Sequence, residues 1–139
     1  MITFLFNHRV VTTDITAGTL SVGNNTTGYY EYAPAEFAAW VINFGTMSAN
    51  TTYEILASAD GTTGTSIPES IGTLTAADYQ NKTLVIDTRR AILGEGTAYH
   101  ALRLNTSGTV EASVVLIEYY RPDNPSTSVA DATIELYSV

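Results

Sequence analysis

Few residues in this chain could carry chemistry. Its two histidines, His8 and His100, lie far apart; it has no cysteine, and neither G-x-S-x-G nor H-E-x-x-H occurs. A metal site would therefore need carboxylates at positions that no ligand spacing marks. Paired carboxylates hydrolyse glycosides when they flank a cleft. Glu54, Glu111, Glu118 and Glu135, however, fall in alternating runs and read as solvent-facing strand residues. His100 has the strand parity of Leu102 and Leu104, so it reads as a hydrogen-bonded core histidine. The run Asp60-Gly61-Thr62-Thr63-Gly64 looks at first like a cation or phosphate loop. Counted from Asp60, an EF-hand needs oxygen ligands at its third and fifth positions, and the fifth here is Gly64. A P-loop needs a Lys after its last glycine and a helix beyond, whereas Pro68 points to an extended exit. What remains is a turn, with Asp60-Gly61 at a site of positive φ. The expectation is a non-enzymatic protein with no catalytic, cofactor or metal residues.

The elements that position these residues are strands. The chain of 139 residues has the length of one domain, 1–139, and buries a core without disulfides. Charged residues make up 14% of it, against about 25% in an average domain, and Thr, Ser and Asn carry the polar share. Period-two alternation recurs at Ile2, Phe4 and Phe6, at Arg9 to Ile15, at Tyr29 to Tyr32, at Trp40, Ile42 and Phe44, and at Tyr53, Ile55, Ala57 and Ala59. "KTLVIDT" and the segment from Ala132 to Tyr137 are further strands. Short helical turns are expected after Pro34, at Thr75 to Tyr79 with Thr75 as N-cap, and in "TRRAILGEG" with Thr88 as N-cap. "TAYHALRLNTSGTVEASVVLIEYYRP" reads as two long strands joined by a hairpin at Thr106-Ser107-Gly108. Its second strand is apolar on both faces from Val114 to Ile117, which marks a central position. The fold expected is all-β: a single β-sandwich or jelly roll of about 8–10 strands with one or two short helical turns.

Binding is the remaining class of function. A net charge of −8 and a pI near 4.4 disfavour nucleic acid as a partner. No apolar run has the length of a signal-peptide core or a membrane span, so the expected protein is soluble, made in the cytoplasm and without a membrane partner. Asn24, Asn25, Asn50, Asn81 and Asn105 begin N-x-Ser/Thr triplets, as a Thr-rich chain readily generates. Tyr29, Tyr30, Tyr32 and Trp40 are candidates for an aromatic platform taking a sugar ring or a protein, with core packing as the alternative. Arg89 and Arg90 form the one adjacent basic pair, either a partner contact or a solvated turn. The apolar ends, 1–16 and 122–139, read as home edge strands or as arms exchanged with a neighbour, making Ile2, Phe4, Phe6, Ile134, Leu136 and Tyr137 interface candidates.

The stretches "YEILASADGTTGTSIPESIGTLTAADYQNKTLVIDT", "AYHALRL" and "VEASVVLIEYYRP" resemble small jelly-roll structural proteins of tailed bacteriophages, the capsid decoration (cement) proteins and related minor virion proteins. In those, a strand ending in S-x-D-G-T-T leads through a Thr/Ser-rich segment to a "T-A-A-D" turn and another strand. The likeness spans Tyr53 to Tyr120, and "YHALRL" departs from the usual R-Y-I-R-V pattern at Ala101. It implies a virion location on the capsid surface, synthesis in a bacterial host, and partners that are the major capsid protein and copies of the chain itself, as homotrimers. The strand "Y-x-I-x-x-S-x-D-G-T" is also similar to galactose-binding-like modules, which implies glycan attachment as the alternative.

Overall fold

The computed structural model describes residues 8–32, 37–89, 93–94, 96–119 and 133–138, with positions 8, 9, 119 and 133–138 described by backbone alone. Ile2, Phe4, Phe6 and Arg90, and the helical turn expected from Pro34, fall outside them. Among the described residues, twelve strands form two antiparallel sheets: β1 (His8–Thr12), β2 (Gly18–Thr19), β3 (Gly23–Thr26), β4 (Tyr30–Glu31), β5 (Phe37–Met47), β6 (Thr51–Ser58), β7 (Gly64–Ser66), β8 (Gly72–Leu74), β9 (Lys82–Arg89), β10 (Tyr99–Thr106), β11 (Val110–Tyr119) and β12 (Thr133–Ser138). A 3-10 turn at Pro68–Ser70 and a single helical turn, α1 (Ala76–Tyr79), connect them. The count exceeds eight to ten because β2, β7 and β8 are two- and three-residue strands in Thr-, Ser- and Gly-rich segments too short to show a period.

The first sheet runs β1-β11-β5-β9-β12 with β2 beside β11, and the second runs β3-β10-β6-β7 with β4 beside β10 and β8 beside β6. The chain alternates between the layers, which is a jelly-roll order. Alternation places Trp40, Ile42 and Phe44 of β5, Val114 and Leu116 of β11, and Leu84 and Ile86 of β9 against Tyr53 and Ile55 of β6 and Leu102 and Leu104 of β10. These side chains form one continuous core.

Two sequence expectations give way to this topology. Thr106-Ser107-Gly108 is not a hairpin, because β10 pairs with β6 in one sheet and β11 with β5 in the other. The turn is a corner between layers, and it packs on the corner that joins β5 to β6. Ser48 N–H donates to the Thr109 carbonyl at 2.8 Å, and Thr109 N–H to Ser48 Oγ at 3.1 Å. Gly108 has no positive φ; a Cβ there would stand 2.8 Å from Ala49 Cβ, so close approach of the corners is what requires glycine. Nor is Thr88 an N-cap. It is buried in β9, its hydroxyl donating to the Ala38 carbonyl at 3.3 Å, since pairing with β5 carries the strand on to Arg89. Thr75 does precede a helical turn, but its hydroxyl bonds Asp78 Oδ2 at 2.5 Å, and Asn50 Oδ1 accepts from the Ala76 N–H instead.

Candidate functional site

The aromatic candidates separate by depth. Trp40 and Tyr32 are fully buried, so the four rings make no common exposed platform; Tyr29 and Tyr30 remain half-buried. Trp40 comes from β5, Tyr32 follows β4, and with His100 of β10 they form a plug between the sheets. Ring centroids lie 4.9 Å apart for Trp40 and His100 and 4.5 Å for Tyr32 and His100. The Tyr32 hydroxyl donates across the sandwich to the Thr88 carbonyl at 2.6 Å, and Tyr30 packs 6.3 Å from Trp40.

Glu118 also joins this plug. It is 1% exposed, not solvent-facing, because β11 turns its even positions inward. Its Oε1 lies 3.8 Å from His100 Nε2, an electrostatic contact too long for a hydrogen bond. Burial pushes the imidazole below its usual range, opposed more weakly by the Glu118 carboxylate. His100 is thus a core residue, as its parity indicates, although neither ring nitrogen makes a hydrogen bond among the described residues. Among those residues, no cluster of three or more histidine or carboxylate side chains could hold a metal ion, and no helix is long and apolar enough to cross a membrane.

The Asp60 run is a turn closed on itself. Asp60 Oδ1 accepts from Ser58 Oγ at 3.0 Å and from the Thr62 and Thr63 N–H groups at 2.8 Å each. Those bonds hold its carboxyl below the usual carboxylate range. Gly61 takes φ 75°, and a Cβ there would meet the Tyr99 ring at 3.2 Å. A Cβ on Gly64 would stand 2.7 Å from the Tyr29 ring. The loop therefore runs beside two half-buried tyrosines. Next to it lies an open cleft of about 430 Å³, whose lining includes Thr63, Thr65, Ser66, Ile67, Glu69 and Thr97.

The least expected surface is the outward face of the first sheet. Register sets Val10, Ile117, Ala39 and Asp87 in one row across β1, β11, β5 and β9, and Thr12, Val115, Val41 and Val85 in the next, so that the aliphatic side chains centre on β11 and β5 with one polar residue closing each row. Val10 is 57% exposed and the other valines and Ile117 are half-buried. Ser113, Asn43 and Thr83 border the patch at one end. At the other end Phe37 stands opposite Arg89, the last residue of β9. A sandwich buries one face of each sheet, so a second aliphatic face is not explained by the fold's own core. The signal was present in the sequence, where Val114 to Ile117 are apolar on both faces. A central strand explains pairing on both edges, but not a second apolar face. Of the other interface candidates, Ile134, Leu136 and Tyr137 lie on β12, which pairs with β9.

No protein-family model matches the chain, and no curated protein does. Among solved structures it is similar to a chain in the structure of infectious bursal disease virus, Gx strain, at 14% identity and a TM-score of 0.38 over 85% of this chain. The chain spans about one third (33%) of that chain's length.

Proposed function

We propose that the protein is a non-enzymatic structural component of a virion, a decoration or cement protein that binds assembled capsid subunits of a tailed phage. The observation that carries this reading is the aliphatic outer face of the β1-β11-β5-β9-β12 sheet with its polar rim, the makeup of a protein-binding patch. The jelly-roll order agrees with the likeness of residues 53–120 to such proteins, and the net charge of −8 keeps free subunits apart before assembly. An interface of standard size, roughly 1,200–2,000 Å², would place the patch at its dry centre. Binding the assembled shell and not free capsid subunits would stabilise the shell by mass action. The partners are the major capsid protein and further copies of the chain, with trimers as the expected state.

Cosedimentation with mature heads built from a major capsid protein encoded beside this gene tests the reading. Saturable binding, together with heads that survive higher temperature, supports it. The absence of a neighbouring capsid gene, or heads that neither bind the protein nor gain heat resistance, overturns it. A second reading, glycan attachment, draws on Tyr29 and Tyr99 flanking the Asp60 loop beside the hydroxyl-lined cleft. A glycan array without hits removes that reading.

A further inference from the structure

The jelly roll is complete without its last strand. β1, β11, β5 and β9 face the sheet of β3, β4, β10, β6, β7 and β8, and β12 is added outside β9. Its seat is specific: six residue pairs run from Thr133 opposite Asp87 to Ser138 opposite Lys82. Ile134 stands opposite Ile86 and Leu136 opposite Leu84, two buried core residues. Without a strand there, β9 would present unpaired backbone groups next to the core.

The chain approaches this seat from β11. Tyr119 is in register with Phe37 of β5, and Phe37 with Arg89 of β9, so the crossing from Tyr119 to β12 spans three strand spacings. At ~4.8 Å each these total roughly 15 Å, which about five extended residues cover. The sequence supplies thirteen, positions 120–132, with a reach of roughly 45 Å. Pairing at home, as in this chain, does not need that surplus, and the extra length allows the strand to reach the β9 edge of an adjacent copy. Closure entropy rises slowly with loop length, so in an assembly the two seats compete on similar terms. The same six pairs form either way, and no disulfide fixes the choice in a chain without cysteine.

We propose that β12 is exchanged between copies of this chain, the strand at 133–138 of one filling the β9 edge of the next. The inference does not depend on what the outer face binds, and it can fail while the capsid reading stands.

Val85 and Glu135 are directly opposite in the register, which allows a test in the cysteine-free background. Val85→Cys and Glu135→Cys chains are made separately, unfolded, mixed, refolded under oxidising conditions and analysed on a non-reducing gel, with the linked peptides read by mass spectrometry. Exchange predicts a covalent heterodimer joined through positions 85 and 135. A mixture without that heterodimer overturns the proposal, as does a chain carrying both substitutions that links only to itself. A chain with eight of the thirteen connecting residues deleted keeps enough length for home pairing. Exchange predicts that it becomes monomeric by light scattering, and an unchanged oligomer counts against the proposal.

Discussion

The two outward faces of the sandwich share strand geometry and differ in chemistry. On the β3-β10-β6-β7 sheet, polar side chains satisfy one another. Arg103 pairs with Glu54, whose other oxygen accepts from Ser66, and Asn105 donates to Asn24. Leu56 and Ala101, the apolar residues of that face, are buried, with Tyr29 close to Leu56 over Gly64. On the β1-β11-β5-β9 sheet the central positions are Val10, Val41, Val85, Val115 and Ile117, with Thr12, Ser113, Asn43, Thr83 and Asp87 around them. A face that meets its own polar needs can remain in water, whereas an aliphatic face gains when water is excluded from it. On the proposed reading, the aliphatic side of the molecule is the one that associates and the polar side the one that stays in water.

The largest expected effect breaks the contrast outright. Placing a charge in the aliphatic face, as Val41→Lys or Val115→Lys, should weaken binding to mature heads by about 30-fold or more, the loss of roughly 2 kcal/mol at an interface centre. The midpoint of urea unfolding should change little, because the face is outside the core; a large fall in that midpoint would mean that the face is part of the protein's own packing.

Next in size is an effect in the layer between the faces. Burial holds His100 neutral in the folded protein, whereas the unfolded imidazole takes a proton near its ordinary pKa of 6.5. Below that pH the unfolded state binds more protons, so stability falls as pH drops through about 6.5 and below, by up to about 1.4 kcal/mol per unit. His100→Gln should flatten urea stability between about pH 6.5 and 5. An unchanged slope would place acid sensitivity elsewhere.

Smaller effects belong to the polar face and should leave head binding intact. Gly64→Ala puts a methyl against the Tyr29 ring and 3.0 Å from Leu56 Cβ. Overpacking of that kind should cost about 1–2 kcal/mol, read by thermal denaturation. Glu54→Ala strips Arg103 and Ser66 of their acceptor at a site 18–29% exposed, for about 0.5–1 kcal/mol in urea. Loss of head binding in either variant would erase the distinction between the faces.

Much of the fold was legible, and the misreadings have identifiable causes. Periodicity marked Trp40, Ile42 and Phe44, and His100, Leu102 and Leu104, as inward, and all six are buried. The Asp60-Gly61 turn was legible from residue type alone, because Asx side chains and positive-φ glycine act within four residues. Glu118 was misread because a carboxylate on a strand defaults to water, and its buried neighbour His100 comes from a strand of the other sheet. Gly108 was misread because Thr-Ser-Gly suits a hairpin, and nothing nearby in the sequence reveals Ala49 packed against it.

By itself, then, the sequence determined the longer strands, the inward faces of their apolar residues and the Asp60-Gly61 turn, since each depends on residues a few positions apart. Only the tertiary structure decided which strands share a sheet. Antiparallel pairing gains similar energy in many partnerships, and the choice depends on how residues far apart fill one core. That choice turned an apparent hairpin into a corner, drew Glu118 inward, and left one sheet with a second apolar face directed outward.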